Sequence, residues 1–236
     1  MIQRITALAW YFFSSLLFSL AGVLYILLAL AFWWVFFSPA DQTPHADYYI
    51  LLLSVLGGGL AFLVTSSVAA RANQAIHYPF LARLPRRVEY LLSILASALS
   101  FTTLLQLVVA ALATFRGPSF TPAHLILMPL AWLPLNGLAA MLALHASDLV
   151  SDGWSRVAIY GALLACALGQ KLDHPILSRV FGLPFWPFQA LAGAVRTASL
   201  TPSHALATLL IVMYAGAAFI LAVRLFSAKD LLLAEQ

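Results

Sequence analysis

Six long stretches without a charged residue constrain this 236-residue chain more than any other feature. They cover residues 5–40, 48–70, 90–115, 117–147, 157–170 and 197–223. A helix that crosses a membrane needs about 20 apolar residues for roughly 30 Å of hydrocarbon, and five of the six stretches exceed that length. Backbone polar groups in lipid must be satisfied within their own segment, so each stretch is predicted to be helical.

Composition agrees with this prediction over the whole chain. Hydrophobic residues make up 63% of it and charged residues 8%, against about 45–50% and about 25% in an ordinary soluble domain. No single core could hide that much apolar surface, which excludes a soluble globule and a disordered chain. Cys166 is the only cysteine, which excludes a disulfide framework. The predicted fold class is therefore all-α, a polytopic membrane protein with one domain over residues 1–236.

The charged positions also place the predicted segments. A short interfacial helix is expected at residues 1–11, where Gln3 and Arg4 interrupt apolar residues. The six transmembrane helices are expected at about 12–37, 48–70, 90–115, 122–147, 155–170 and 204–225.

Basic residues predict the orientation. If the N-terminus is cytoplasmic, eight of the 12 lysines and arginines lie on the inner side, which favours two cytoplasmic termini. The net charge of +4 is interpreted as this orientation signal, so no nucleic-acid partner is expected. A compact chain without long soluble loops suits a multi-pass protein of a bacterial inner membrane.

Residues 71–89 are neither a clean span nor a clean loop. Apolar and polar side chains alternate there, and Pro79 and Pro85 interrupt any long helix. A short amphipathic helix on the inner surface is expected. The alternative is a basic anchor for anionic lipid headgroups, worth about 1 kcal/mol for each arginine near the surface.

Residues 171–203, predicted to lie on the outer side, are too polar for a crossing but rich in aromatic rings. Phe181, Phe185, Trp186 and Phe188 suit the depth of the lipid headgroups. Short re-entrant helices are predicted here, and the alternative is an ordinary interfacial loop.

Small residues and prolines mark other positions within the spans. Gly161, Ala165 and Gly169 share one face of the fifth span at a spacing that favours close helix packing. Pro129 and Pro134 predict a kink in the fourth span. The three glycines at residues 57–59 predict a hinge or a close backbone approach in the second span.

Catalytic motifs are missing from the sequence. It contains no G-x-S-x-G, H-E-x-x-H or P-loop pattern, and no carboxylate inside the charge-free stretches that could couple transport to protons. Asp148, Asp152 and Arg156 leave open a membrane-embedded lipid-modifying enzyme, although two carboxylates are too few to hold a metal ion. No catalytic residue and no metal site are therefore predicted.

One stretch carries a resemblance to a known family. Residues 80–87 read FLARLPRR and are followed by EYLL at 89–92. This apolar cluster, Leu-Pro turn, basic residue and apolar helix start resemble the permease subunits of ABC transporters of the ABC-2 (type V exporter) class. The sequence departs from the family pattern at residues 75–78 (AIHY) and at Ile94.

The resemblance implies a coupling helix within residues 71–89 that docks on a separate ABC ATPase subunit. The residues facing that subunit would be Asn73, Gln74, His77, Tyr78 and Arg83. Arg86 and Arg87 would contact lipid headgroups.

The resemblance also implies a second permease chain, paired through the small-residue face of the fifth span and the first span. ATP and Mg²⁺ would bind the partner subunit, so this chain would carry no cofactor. The expected cargo is a lipid, a hydrophobic drug or a peptide. A non-catalytic assembly subunit of a membrane complex remains an alternative, beside the enzyme.

Overall fold

The computed structural model describes residues 1–37, 46–74, 86–114, 122–151, 153–169, 182–183, 186–187, 189–190 and 201–228. Within these residues the chain is helical and has no β-strand, so the all-α prediction is confirmed there. The helices are α1 (Ile2–Leu17), α2 (Leu20–Phe37), α3 (Ala46–Ala72), α4 (Arg87–Thr114), α5 (Pro122–Ala146), α6 (Gly153–Gly169) and α7 (Pro202–Ala228).

Four of these helices are long and apolar enough to cross a membrane: α2, α3 from Tyr49 onward, α4 and α7. The described apolar part of α5, Trp132–Ala146, is shorter, and α6 has 17 residues. The helices are thus compatible with a multi-pass membrane protein. Crossings by α5 and α6, which would complete the predicted six, remain a prediction.

The N-terminal segment differs from the sequence prediction. The interfacial helix was expected to end at residue 11, but α1 continues to Leu17, and α2 begins only at Leu20. Ser19 makes the break, because its hydroxyl donates to Leu16 O and accepts from Gly22 N. Gly22 is required there, since a Cβ would lie 2.1 Å from Leu16 O. The apolar run alone could not indicate this turn.

Burial separates central from peripheral helices. Within an 18-residue apolar stretch of each helix, 50% of the residues are buried in α4 and 44% in α3, against 17% in α2 and in α7. Helix α3 packs against both α4 and α5, α1 lies along α4, and α7 lies along α5. The fully buried side chains at the centre include Leu53, Leu60, Ile94 and Phe101. The apolar outer faces of α2 and α7 are suited to lipid contact.

Candidate functional site

The end of the bundle where α3 stops and α4 starts holds a cluster of polar contacts. We call Arg4, Arg71, Arg87, Glu89 and Tyr90 the anchor cluster. Its members join four helices at the two ends of the predicted coupling segment.

Tyr90 connects the end of α3 to the beginning of α4. Its hydroxyl donates to Ala72 O at 2.7 Å, which satisfies a carbonyl in the last turn of α3. The Tyr90 ring lies edge-on to Phe12 of α1, with centroids 5.6 Å apart. It also stacks with Phe226 of α7 at 6.4 Å. One buried side chain therefore contacts three other helices.

Arg87 ties the start of α4 to the end of α7. Its Nη1 donates to Phe226 O at 3.1 Å and to Ser227 O at 3.0 Å. These carbonyls lie in the last described turn of α7, and a cation near the C-terminal end of a helix is favourable. Arg87 was predicted to contact lipid headgroups, but its guanidinium has these protein partners. Arg86 beside it is exposed.

Helix α1 is held in the same cluster by two arginines. Arg4 Nε lies 3.3 Å from Glu89 Oε2, and the Glu89 side chain is only 2% exposed, whereas that of Arg4 is 52% exposed. At the other end of α1, Arg71 Nη1 donates to Ser15 O at 3.1 Å. Glu89 was expected in the segment before the third span. It lies instead in the first turn of α4, which begins at Arg87.

The residues predicted to face an ATPase subunit are only partly described. Asn73 is half-buried and Gln74 is exposed directly after α3, where their backbone N–H groups donate to Ala69 O and Arg71 O. His77, Tyr78 and Arg83 lie outside the described residues. The structure thus places both ends of the predicted docking segment.

A second polar cluster, absent from the sequence predictions, lies between α3, α4 and α5. We call Ser54, Gln106, Trp132 and Asn136 the amide cluster. Gln106 Nε2 donates to Leu53 O at 2.9 Å, and Asn136 Nδ2 donates to Gln106 Oε1 at 2.7 Å. Trp132 Nε1 donates to Ser54 Oγ at 3.0 Å.

Only ionisable residues were considered inside the predicted spans, and glutamine and asparagine carry no charge. Two amides within apolar runs were nonetheless a signal, because each must find a partner in lipid. The partners come from α3, α4 and α5, so helix packing had to be known before they could be named.

The turn between α5 and α6 contains the acidic residue that was considered for an enzyme. Arg156 Nη2 forms an ion pair with Asp148 Oδ1, and Arg156 Nη1 donates to Ala146 O at 3.3 Å. Asp152 lies outside the described residues. Among the residues that are described, no three His, Cys, Asp or Glu side chains come together as metal ligands.

Helix α6 makes few contacts with the rest of the bundle. Tyr160 donates its hydroxyl to Leu142 O at 2.8 Å, whereas Gly161 and Ala165 are exposed. A Cβ on Gly161 would meet no atom of the described residues within 4 Å. Gly169 ends the helix.

The predicted re-entrant segment is described at a few positions only. Trp186 is 38% exposed, and Ala190 packs against Ala207 and Ile211 of α7. Phe181, Phe185 and Phe188 lie outside the described residues. The predicted re-entry of this segment stays a prediction.

Comparisons of the chain with family models, with curated proteins and with solved structures find no match.

Proposed function

We propose that this chain is the permease subunit of an ATP-binding cassette exporter of the ABC-2 class, driven by a separate ATPase subunit. It forms half of a path for a lipid, a hydrophobic drug or a peptide. ATP and Mg²⁺ bind the partner subunit. The observation that best supports this proposal is the anchor cluster, because it joins four helices at the two ends of the segment between α3 and α4, residues 73–86.

The cluster makes that segment mechanically continuous with the bundle. Displacing residues 73–86 pulls on Ala72 and Arg87, the adjoining ends of α3 and α4, which Tyr90 holds together. Arg87 passes the displacement to α7, and the Arg4–Glu89 pair passes it to α1. Packed helices move as units between discrete arrangements, so a push by a docked partner can shift the bundle between two states.

The positions of the ionisable groups in the chain support the proposal that the energy for transport comes from another subunit. Within the described helices, the buried carboxylate is Glu89, which lies in the first turn of α4 and faces Arg4. A proton-coupled or sodium-coupled pump uses ionisable groups deeper in the membrane. In this proposal, ATP hydrolysis by the partner subunit supplies the work of transport.

The proposal includes a second permease chain and a defined orientation. The exposed small-residue face of α6 would pack against the second chain. Both termini and residues 71–89 would lie in the cytoplasm of a bacterial cell, with the six helices in its inner membrane.

The test isolates the full chain together with the proteins that copurify with it, among which we expect a P-loop ATPase subunit, and reconstitutes the complex in lipid vesicles. We expect ATP-dependent export that is lost in Arg83→Glu, while the variant still assembles and the ATPase still hydrolyses ATP. Arg196→Glu makes the same charge change on the predicted outer side and should leave export intact. Full transport by vesicles without any nucleotide-binding subunit would refute the proposal.

A further inference from the structure

The amide cluster has a fixed direction of hydrogen-bond donation. Leu53 O is a backbone carbonyl and can only accept, so the Gln106 group that faces it at 2.9 Å must be the NH₂ group. Gln106 Oε1 therefore points onward and accepts from Asn136 Nδ2 at 2.7 Å. The carbonyl oxygen of Asn136 must then face away from Gln106. No flip of either amide is compatible with both contacts.

The oxygen at the end of this chain of bonds is buried and has no donor among the described residues. Asn136 is 1% exposed, as is Gln106, and Asn136 Oδ1 is fully enclosed without a hydrogen-bond partner there. One turn before Gln106, the hydroxyl of Thr102 is likewise enclosed and unpartnered within the described part of the chain. A buried acceptor without a donor has lost its hydrogen bonds to water without replacing them, which favours binding of a donor.

We propose that Asn136 Oδ1 is a binding position for a small hydrogen-bond donor, an O–H or an ammonium N–H, at the junction of α3, α4 and α5. The chemistry follows from the acceptor. An uncharged carbonyl oxygen attracts a donor but no anion, and a divalent cation would need several oxygen ligands that converge on one point. The donor is supplied either by a buried water molecule or by the headgroup of a lipid.

The chain permits a spectroscopic test without any change at the site. It has only two asparagines, Asn73 and Asn136. In an Asn73→Ser variant, ¹³C-labelled asparagine therefore places one labelled side-chain carbonyl in the protein. The infrared stretching band of that carbonyl moves to lower frequency when Oδ1 accepts a hydrogen bond. Loss of the band in a further Asn136→Leu variant assigns it.

Two lipid compositions identify the source of the donor. Nanodiscs of phosphatidylcholine offer neither a hydroxyl nor an N–H headgroup, whereas phosphatidylethanolamine offers an ammonium group. We expect a lowered band. If it is lowered in both nanodiscs, water is the donor, and if it is lowered only with phosphatidylethanolamine, the lipid is. A band at the frequency of a free carbonyl in both would overturn the proposal.

Discussion

The amide of Gln106 occupies the position at which a side chain on Gly57 would stand. A Cβ at residue 57 would lie 2.4 Å from Gln106 Nε2 and 2.6 Å from its Cδ. Glycine thus lets the amide from α4 reach the backbone of α3, where it donates to Leu53 O. The buried hydrogen bond therefore depends on the absence of a side chain at Gly57.

We expect Gly57→Ala to destabilise the folded bundle by about 1–3 kcal/mol, the range for inserting extra atoms into a packed core. The Gln106 side chain would have to move, and moving it breaks its contacts with Leu53 and Asn136. Thermal unfolding of the purified chain in detergent measures the effect.

Gly58→Ala is the matched control for this change, because a Cβ there would meet no atom within 4 Å in the part of the chain that the structure describes. The double variant Gly57→Ala/Gln106→Ala should lose much less stability than the sum of the single variants, since the clash is then removed. Equal stability of Gly57→Ala and Gly58→Ala would contradict the Gly57–Gln106 relationship.

The Arg4–Glu89 pair should hold α1 against α4. Arg4→Ala leaves the Glu89 carboxylate buried without its cation, but the half-exposed position of Arg4 limits the expected loss to about 1–2 kcal/mol. Amide hydrogen exchange along α1 should become faster. Arg4→Lys keeps the charge and should retain most of the protection, and the exchanged pair Arg4→Glu/Glu89→Arg should restore part of it. Unchanged exchange in Arg4→Ala would show that the pair does not hold α1.

Arg87 and Arg86 should have different roles although they are neighbours. Arg87→Ala removes the donor to Phe226 O and Ser227 O and should cost about 1 kcal/mol of stability, with faster exchange in the last turn of α7. Arg86→Ala alters an exposed side chain and should leave thermal unfolding within experimental error. Its predicted effect is weaker binding to anionic vesicles. Equal losses of stability in both variants would contradict this division.

The pairing of two permease chains is testable on α6. Gly161→Leu should shift the purified protein from dimer to monomer in detergent, because a large side chain prevents close approach of the helices. Gly216→Leu is the control, since Gly216 on α7 is also exposed and a Cβ there meets no atom of the described helices within 4 Å. A dimer that survives Gly161→Leu would place the interface elsewhere.

The orientation of the predicted docking segment is testable at Gln74, which is exposed at the end of α3. Because Cys166 is the only native cysteine, a Cys166→Ser background permits single-site labelling. Gln74→Cys should react with a membrane-impermeant maleimide only after cells are permeabilised. Thr43→Cys, which lies between the first two predicted spans and so on the predicted outer side, should react in intact cells. Labelling of Gln74→Cys from outside would exclude docking on a cytoplasmic ATPase.

The sequence sufficed for the class of fold and for the approximate positions of the apolar helices. Charges are costly in hydrocarbon, so uncharged runs reveal the candidate spans without any knowledge of packing. Helix ends were less accessible to this reasoning. The break between Leu17 and Leu20 depends on hydrogen bonds of Ser19, and an apolar run continues through it.

The glycines of residues 57–59 show how far a local pattern can go. The triplet predicted a close approach or a hinge, and Gly57 does make a close approach, to the Gln106 side chain. A Cβ on Gly58 or Gly59 would meet no described atom within 4 Å. Which glycine is needed depends on the face that α3 turns toward α4. The helical periodicity of the sequence does not by itself indicate that face.

The sequence by itself determined that these helices are suited to lipid and not to water, because hydrophobicity is a property of each side chain wherever it lies. Only the tertiary structure decided which polar groups meet. Arg87 is 139 residues from the Phe226 carbonyl it contacts, and Gln106 is 53 from Leu53 and 30 from Asn136. Hydrogen bonds depend on distance and direction in space, and those are set when the helices pack together.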